Sequence, residues 1–398
     1  MFGGGGGGGS LLLKLKSLVL NNKEEAKPIA RSLPDELFHE IFKRLPVKST
    51  LTCKCVTKTW FSIISDPDFV KLQLNYTLKF NDDSRFILSG YDSKIHEDLV
   101  YITEHSLFST TEFYDKAVVT EKHHPLKSAK LVSILGSFNG LVCLLHHSNV
   151  TEFCFSLWNP ATKEYKRIPD SPYSTTIHWP AYFCYGYKND DYKLVSARTC
   201  RGTPSFLVYV YTLRSNSWKT LETKPYSLGN LDGILSNGAV HWISQTPKVI
   251  VSFNISDETF EEMQHPGELM EKTMNPHSHL VLKVLEGCLC VILLPFNKAW
   301  VMREYGVWES WTEHQNKTAN KYKHLKWSSE NGECLIYSEG TDLVLYGPKH
   351  SGARRLKFGS RDVYSYIESL VSLNSGIYLG RKEVIRKRRR GIWRKVLK

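Results

Sequence analysis

The stretch Phe138–Pro169, FNGLVCLLHHSNVTEFCFSLWNPATKEYKRIP, carries the pattern that decides most of the fold. Asn139-Gly140 is followed by an apolar run, then by a second run carrying aromatics (Phe155, Ser156, Leu157, Trp158), and then by a short "YKRIP". Asn-Gly supplies the positive φ of a hairpin turn, and aromatic-rich runs suit a pleated, half-buried face. The same order recurs at Gly186 (CYGYKNDDYKLV), Gly238 (SNGAVHWI), Gly287 (LEGCLCVILL) and Gly332 (ENGECLIY). The glycines are 46, 52, 49 and 45 residues apart. Each unit then continues through an aromatic strand (Val208–Tyr211, Val251–Phe253, Trp300–Met302, Leu343–Tyr346) to a short last strand such as SWKTL, TFEEM, SWTEH or ARRLKF. A repeat of this length with about four strands is the spacing of a β-propeller blade. A β-sandwich would use similar strands but leaves the period unexplained. Five blades are legible this way. Residues 84–120, with RFILSGY and DLVYITEH, read as most of a sixth, closed by YIESLVSL from the C-terminal side.

Upstream of the repeats the period changes from strand-like to helical. In SLPDELFHEIFKRLP, Ser32 is placed to cap a helix, Pro34 stands in its first turn, and Asp35 and Glu36 sit beside the positive end of the helix dipole. Leu33, Leu37, Ile41 and Leu45 are four apart and share a side with Pro34, Phe38 and Phe42. The apolar arc is then about 180°, wider than the roughly 100° a surface helix buries against its own domain. A second helix is expected over Lys48–Cys55 and a third over TKTWFSIIS, with Asp66-Pro67 as its stop. Three short helices in so few residues lie near the lower limit for an independent core, so the surplus apolar surface points to a permanent partner.

Both halves resemble one family. LPDELFHEIFKRLPVKSTLTCKCVTKTWFSIISDPDFVKLQL (33–74) closely resembles the F-box motif in the form common in plants. The matching residues are Leu33-Pro34, Ile41, Leu45-Pro46-Val47-Lys48-Ser49, Cys55-Val56, Lys58, Trp60, Ile64, Asp66-Pro67 and Phe69. Thr52 and Gln73 depart from it, where the family usually has a basic residue and often has His. SFNGLVCLL, LWNPATKEYKRIP, YGYKNDDYKLV, VYVYTLRSNSWKTL and GAVHWI resemble the F-box-associated domain of plant F-box proteins, a group with S-locus and F-box/kelch-type members. That second resemblance is clear over about 130–265. The resemblance implies a Skp1-like adaptor as partner and, through it, a cullin. It carries Leu33, Pro34, Leu37, Ile41, Leu45, Val56 and Trp60 over as residues that face the adaptor or directly support that face. It further implies a non-catalytic substrate receptor of a ubiquitin ligase, holding an unknown protein substrate on the propeller.

The expected organisation is α+β by segregated domains: a low-complexity N-terminus (1–29), a small helical F-box (30–76), a mainly-β propeller-like domain of about six blades (77–373) and a basic tail (374–398). Of the net charge of +12, Arg381–Lys398 carries +9, so the body is nearly balanced and nucleic acid is an unlikely ligand for it. Arg386, Lys387, Arg388, Arg389 and Arg390 form a candidate nuclear-import signal. No apolar run approaches the ~20 residues of a membrane span. Together with the missing leader pattern, this gives a cytoplasmic or nuclear expectation. The nine cysteines follow neither a disulfide framework nor zinc-knuckle spacing, and Cys288 and Cys290 should share one strand face as small core residues. No motif for phosphate cradling, zinc hydrolysis or a serine nucleophile is present, and no cofactor or metal is expected. His123-His124 and His146-His147 are neighbours that a strand would send to opposite faces. Asp190-Asp191 reads as a turn. The alternatives to the receptor reading are a nuclear nucleic-acid-associated protein acting through the tail, or a kelch-like propeller enzyme.

Overall fold

The computed structural model describes residues 34–373, apart from 81–84, 93–96, 105–131, 148–152, 173–179, 200–205, 224–225, 229–231, 247, 267–278, 295–297, 315–324, 330–331, 338–342, 347–353 and 357–359. Among the described residues, four helices come first: α1 (Asp35–Phe42), α2 (Val47–Cys53), α3 (Lys58–Ser65) and α4 (Pro67–Phe80). The expectation of three helices is corrected here. Asp66-Pro67 does stop α3, but it also starts α4. Proline lacks only an N–H that the first turn would leave unpaired, and Asp66 Oδ1 accepts the Asp68 N–H at 2.8 Å. The expected cap at Ser32 lies outside the described residues; Pro34 holds the N-cap position of α1 without a side-chain cap.

Among the described residues, the remaining elements are strands, apart from one 3-10 turn at Trp308–Ser310. Five sheets are each built from consecutive antiparallel strands. They are β3–β6 (Val132–Phe138, Leu141–His147, Phe153–Asn159, Glu164–Arg167), β7–β10 (Ala181–Gly186, Asp191–Thr199, Phe206–Thr212, Ser217–Glu222) and β11–β15, in which β12 (Ile234–Ser236), β13 (Ala239–Thr246), β14 (Lys248–Asn254) and β15 (Phe260–Met263) follow the short β11 (Ser227–Leu228). The other two are β16–β19 (His279–Leu285, Cys288–Leu294, Lys298–Met302, Trp311–Glu313) and β20–β23 (Leu325–Ser328, Cys334–Tyr337, Leu343–Tyr346, Arg354–Leu356). A further three-stranded sheet pairs β1 (Arg85–Asp92) with β2 (Glu97–Glu104) on one side and with β24 (Ser360–Tyr366) on the other. The closing strand is thus SRDVYSY rather than the expected YIESLVSL, because Arg85–Gly90 pairs with Ser360–Tyr366. Residues 367–373 are used elsewhere.

The recurring glycines sit at the same place in each blade, the hairpin between its innermost strand and the next. Asn139-Gly140, Asn237-Gly238 and Glu286-Gly287 all have two successive positive φ values, as a tight two-residue hairpin requires. At Gly186 the positive φ moves to Asp190, so Asp190 ends the turn that the composition suggested and Asp191 opens β8. Period-2 alternation then feeds two different interfaces from one strand. On β9, Val208 and Val210 pack with Trp242 and Val251 of the next blade, whereas Tyr211 packs with Tyr192 and Leu145 on the other side. Cys288 and Cys290 share one cluster, as expected of alternate residues on a strand. Polar latches reinforce these seams. Lys193, almost fully buried on β8, reaches the next blade, donating to the Ile255 carbonyl at 2.5 Å and pairing with Glu258 at 2.7 Å.

A second polar latch makes the ring sensitive to acid. His241 is fully buried on β13, with Nδ1 3.3 Å from the Ile234 carbonyl and Nε2 2.8 Å from the Tyr305 hydroxyl of the following blade. Burial pushes its pKa down to about 4, against the two backbone acceptors that favour the charged form. An unfolded His titrates near 6.5, so between roughly pH 6.5 and 4 the unfolded chain binds the extra proton. Stability present above pH 6.5 is therefore lost as pH falls toward 4, by about 3 kcal/mol from this residue, and no further below that. The gap in unfolding free energy between wild type and His241→Gln, measured in denaturant, should shrink or reverse on going from pH 7.5 to 4.5. A gap independent of pH would show that His241 does not titrate on unfolding.

Candidate functional site

The wide apolar arc of α1 splits into two in the folded chain. Phe38 and Phe42 turn inward and stack on each other with centroids 5.8 Å apart. They meet Trp60 of α3 at 5.7 and 5.1 Å, and Phe42 reaches Phe69 of α4 at 6.4 Å. Such rings in tilted and edge contacts contribute beyond their buried area. Leu45, Val47, Cys53, Ile63 and Ile64 complete this core. Thr57 caps α3 by accepting the Trp60 N–H at 3.1 Å, which fixes where the indole enters. Thr50 ties α2 to the end of α1 through the Phe42 carbonyl at 3.3 Å.

The other half of the arc faces out. Pro34 and Leu37 are exposed, Leu37 by 45%, and Ile41 is half-buried one turn further on. Val56, ahead of α3, is also half-buried. Among the residues carried over by resemblance, Leu45 and Trp60 are therefore internal supports, and Pro34, Leu37, Ile41 and Val56 offer surface. Leu33 and the run Arg386–Arg390 lie outside the described residues. Phe61 is exposed by 55%, with the Lys54 ammonium 5.1 Å above its ring. The sequence reading passed over it, although its position one residue, or 100°, from the buried Trp60 placed it off the inner face. The polar side of α1 is held by Lys43 and Arg44, which both pair with Glu40. The Lys43 hydrogen bond is the main cause holding the Glu40 carboxyl below its usual range.

This helical unit is fixed to the ring. Leu74 of α4 lies in the core shared by the first two blades, and Val70 packs against both cores. Lys71 pairs with Asp190 at 2.8 Å. The segment 367–373, leaving the ring after β24, runs between them: Leu370 is part of the helical core, while Val371 and Leu373 belong to the blade core. Buried Asn159 holds that segment. Its Nδ2 donates to the carbonyls of Ser369 (3.2 Å) and Val371 (2.7 Å), and its Oδ1 accepts from Ala161 (2.9 Å) and Thr162 (3.4 Å). Glu368 pairs with Arg85, and Glu164 accepts from Ser372 at 2.9 Å.

Residues 94–346 match the F-box associated beta propeller domain, and residues 31–72 match the F-box domain. The chain belongs to the F-box associated beta propeller family. F-box protein CPR1 of Arabidopsis thaliana is 26% identical to it over 357 residues, covering 79% of this chain and 82% of that protein. The F-box/kelch-repeat protein At3g23880 of Arabidopsis thaliana is 27% identical over 365 residues, covering 86% and 96%. The crystal structure of TolB from Acinetobacter baumannii superposes with a TM-score of 0.45 at 9% identity, over 78% of this chain and 73% of that one. The F-box match thus spans α1–α3 and the first part of α4, and these helices pack on the propeller ring through Val70, Leu74 and Leu370. No helix among the described residues is long and apolar enough to cross a membrane.

Proposed function

We propose that this chain is the substrate-receptor subunit of an SCF-type ubiquitin ligase, with the F-box docking on a Skp1-type adaptor and the propeller holding a protein substrate. The observation that carries this reading is the outward half of α1. Pro34 and Leu37, continued by the exposed part of Ile41, form an apolar stripe that the other described residues leave open, on a unit whose own core is already filled by Phe38, Phe42 and Trp60. The chain then needs no reacting groups. It accelerates transfer by holding the substrate at high effective concentration near the charged enzyme.

The strand order supports an assignment of ends. Short hairpins at Asn139-Gly140, Asp190 and Asn159–Lys163 lie on the end where the F-box and residues 369–373 pack. The strand ends from which one blade leads to the next, such as Met263 and Glu313, lie at the opposite end. Long connections vary most freely and carry recognition, so the substrate belongs on the end away from the adaptor. The test is reconstitution of the full chain with a Skp1-type adaptor and a cullin. One stoichiometric complex on size exclusion is expected, and a chain that elutes alone would reject the assignment.

A further inference from the structure

The turn at 303–310, between the third and fourth strands of the β16–β19 blade, carries apolar side chains that the fold leaves in the open. Tyr305, Val307 and Trp308 are exposed, Trp308 by 58%. Apolar residues gathered on one turn mark an interaction surface when polar groups rim them. The shape of the turn does not depend on their side chains. Ser310 Oγ donates to the Val307 carbonyl at 2.7 Å and accepts the Glu304 N–H at 3.1 Å. Gly306, with a φ of +83°, donates its N–H to Met302 Sδ at 3.2 Å. Tyr305 is anchored at its tip, where the hydroxyl meets His241 of the preceding blade. A surface held in place beforehand loses little conformational freedom on binding.

The rim is acidic. Glu304 and Glu309 stand on the turn itself, and Glu261, on β15 of the preceding blade, is near enough to add to the effect of burial in raising the Tyr305 pKa. All three are exposed, and none forms an ion pair with another described residue. Arg303, the cation on the turn, is already taken by Glu286 at 3.1 Å. An apolar surface with an acidic rim fits a segment that is apolar and basic, and the chain contains one. Arg381–Lys398 carries +9, with Ile392, Trp393, Val396 and Leu397 among its basic residues. The turn joins a third strand to a fourth, as 159–163 does in the first blade, so both lie on the end where 369–373 pack. The described chain stops on that end at Leu373, whose N–H is accepted by Glu164. The β16–β19 blade is the fourth counted from β3–β6 and lies across the ring from it, roughly 40 Å away for blades of four strands about 4.8 Å apart. The 25 residues of 374–398 reach about 80 Å when extended, so they span the ring with slack.

We propose that the basic segment 381–398 docks on this patch of its own chain, with Trp393 and the apolar residues around it against Val307 and Trp308 and its cations beside Glu261, Glu304 and Glu309. The Trp308 ring suits both kinds of group, since an indole face attracts cations as well as apolar side chains. Tethering lets modest contacts suffice, because a segment within reach of its site acts at a high effective concentration. Docking covers the run Arg386–Arg390, so a receptor for that run meets it only when the segment is released.

Zero-length carbodiimide coupling of the full chain at low salt tests this. In the monomer fraction, mass spectrometry should find Lys382, Lys387, Lys395 or Lys398 joined to Glu261, Glu304 or Glu309. The Lys188–Asp257 ion pair on the same end couples regardless and serves as the internal standard. Against that standard, Trp308→Ser and, separately, Trp393→Ser should each lower the coupling about tenfold, the effect of losing a central tryptophan contact. Salt at about 0.5 M should lower it as well, since the charges at the rim are exposed. Trp308 is largely exposed, so the melting transition of Trp308→Ser should match the wild type. An absence of these adducts where Lys188 and Asp257 do couple would overturn the proposal. So would coupling that keeps its full yield in Trp308→Ser, which would reduce the contact to charge alone. A mixture of isotope-labelled and unlabelled chains decides the origin of the segment. Adducts within one chain support docking in cis, whereas adducts between chains would give the patch to a second copy and overturn it.

Discussion

The full chain carrying both Leu37→Ala and Ile41→Ala should fold as the wild type does and yet bind a Skp1-type adaptor at least about a thousandfold more weakly. The asymmetry follows from where the two side chains stand. Leu37 is 45% exposed in the free chain, so truncating it removes little that the fold has buried. Ile41 packs only partly against the F-box core and contributes correspondingly less to the fold than Phe38 or Phe42. On docking, each side chain would pass from water into an apolar contact, and each truncation would then cost roughly 2–5 kcal/mol if burial is complete. Trp60→Ala provides the contrast. Its indole is 4% exposed and touches both phenylalanines of α1, so its loss should unfold the F-box at a cost of about 3–5 kcal/mol. Binding should fail in both variants, but only Trp60→Ala should lose the helical signal and the melting transition of the F-box. A double variant that titrates the adaptor with wild-type affinity would show that the docking face lies elsewhere, with Phe61 the next surface to examine.

The propeller was readable because its information is local and repeated. Asn139-Gly140, Asn237-Gly238 and Glu286-Gly287 each fix a two-residue hairpin by backbone sterics alone, and the strand runs on either side match what the turn demands. The ring closure was less readable. Ser360–Tyr366 and the stretch after it are both short, apolar-alternating runs, and only pairing with Arg85–Gly90, more than 270 residues away, separates strand from latch. Long-range pairing leaves no mark at the level of local pattern. The F-box shows the same division. Helical periodicity revealed that α1 had more apolar surface than its own domain needs, but not which half turns inward. That choice is made by ring packing among Phe38, Phe42, Trp60 and Phe69. The fourth helix was hidden by a dipeptide with two meanings, since Asp-Pro ends one helix and begins another with equal ease.

The mount between F-box and propeller rests on Asn159, and its removal should be the most damaging single polar change in the ring. The residue has no exposed surface, and all of its amide is used: Nδ2 donates to two carbonyls of the segment 369–371, and Oδ1 accepts the N–H groups of Ala161 and Thr162. Asn159→Ala leaves these backbone groups short of their partner in a dry site. With each unsatisfied group costing about 1–3 kcal/mol, a total of about 3–5 kcal/mol is expected. Asn159→Asp is the sharper variant, because it is nearly isosteric. Its carboxylate can still accept from Ala161 and Thr162, but it sets an oxygen against the carbonyls of Ser369 and Val371, where a donor stood. If hydrogen bonding to the latch matters, Asp should be no better than Ala despite keeping the shape. If packing alone matters, Asp should be close to wild type. The damage should also travel. Leu370 sits between the two released carbonyls and belongs to the F-box core, so amide exchange should rise at Val371 and Leu373 and then in α3 and α4, before the distant blades respond. Hydrogen exchange on the two variants resolves these alternatives directly. Protection at 369–373 that is unchanged in Asn159→Asp would mean that the latch holds through Leu370, Val371 and Leu373 alone, and that the F-box is fixed to the ring by apolar packing.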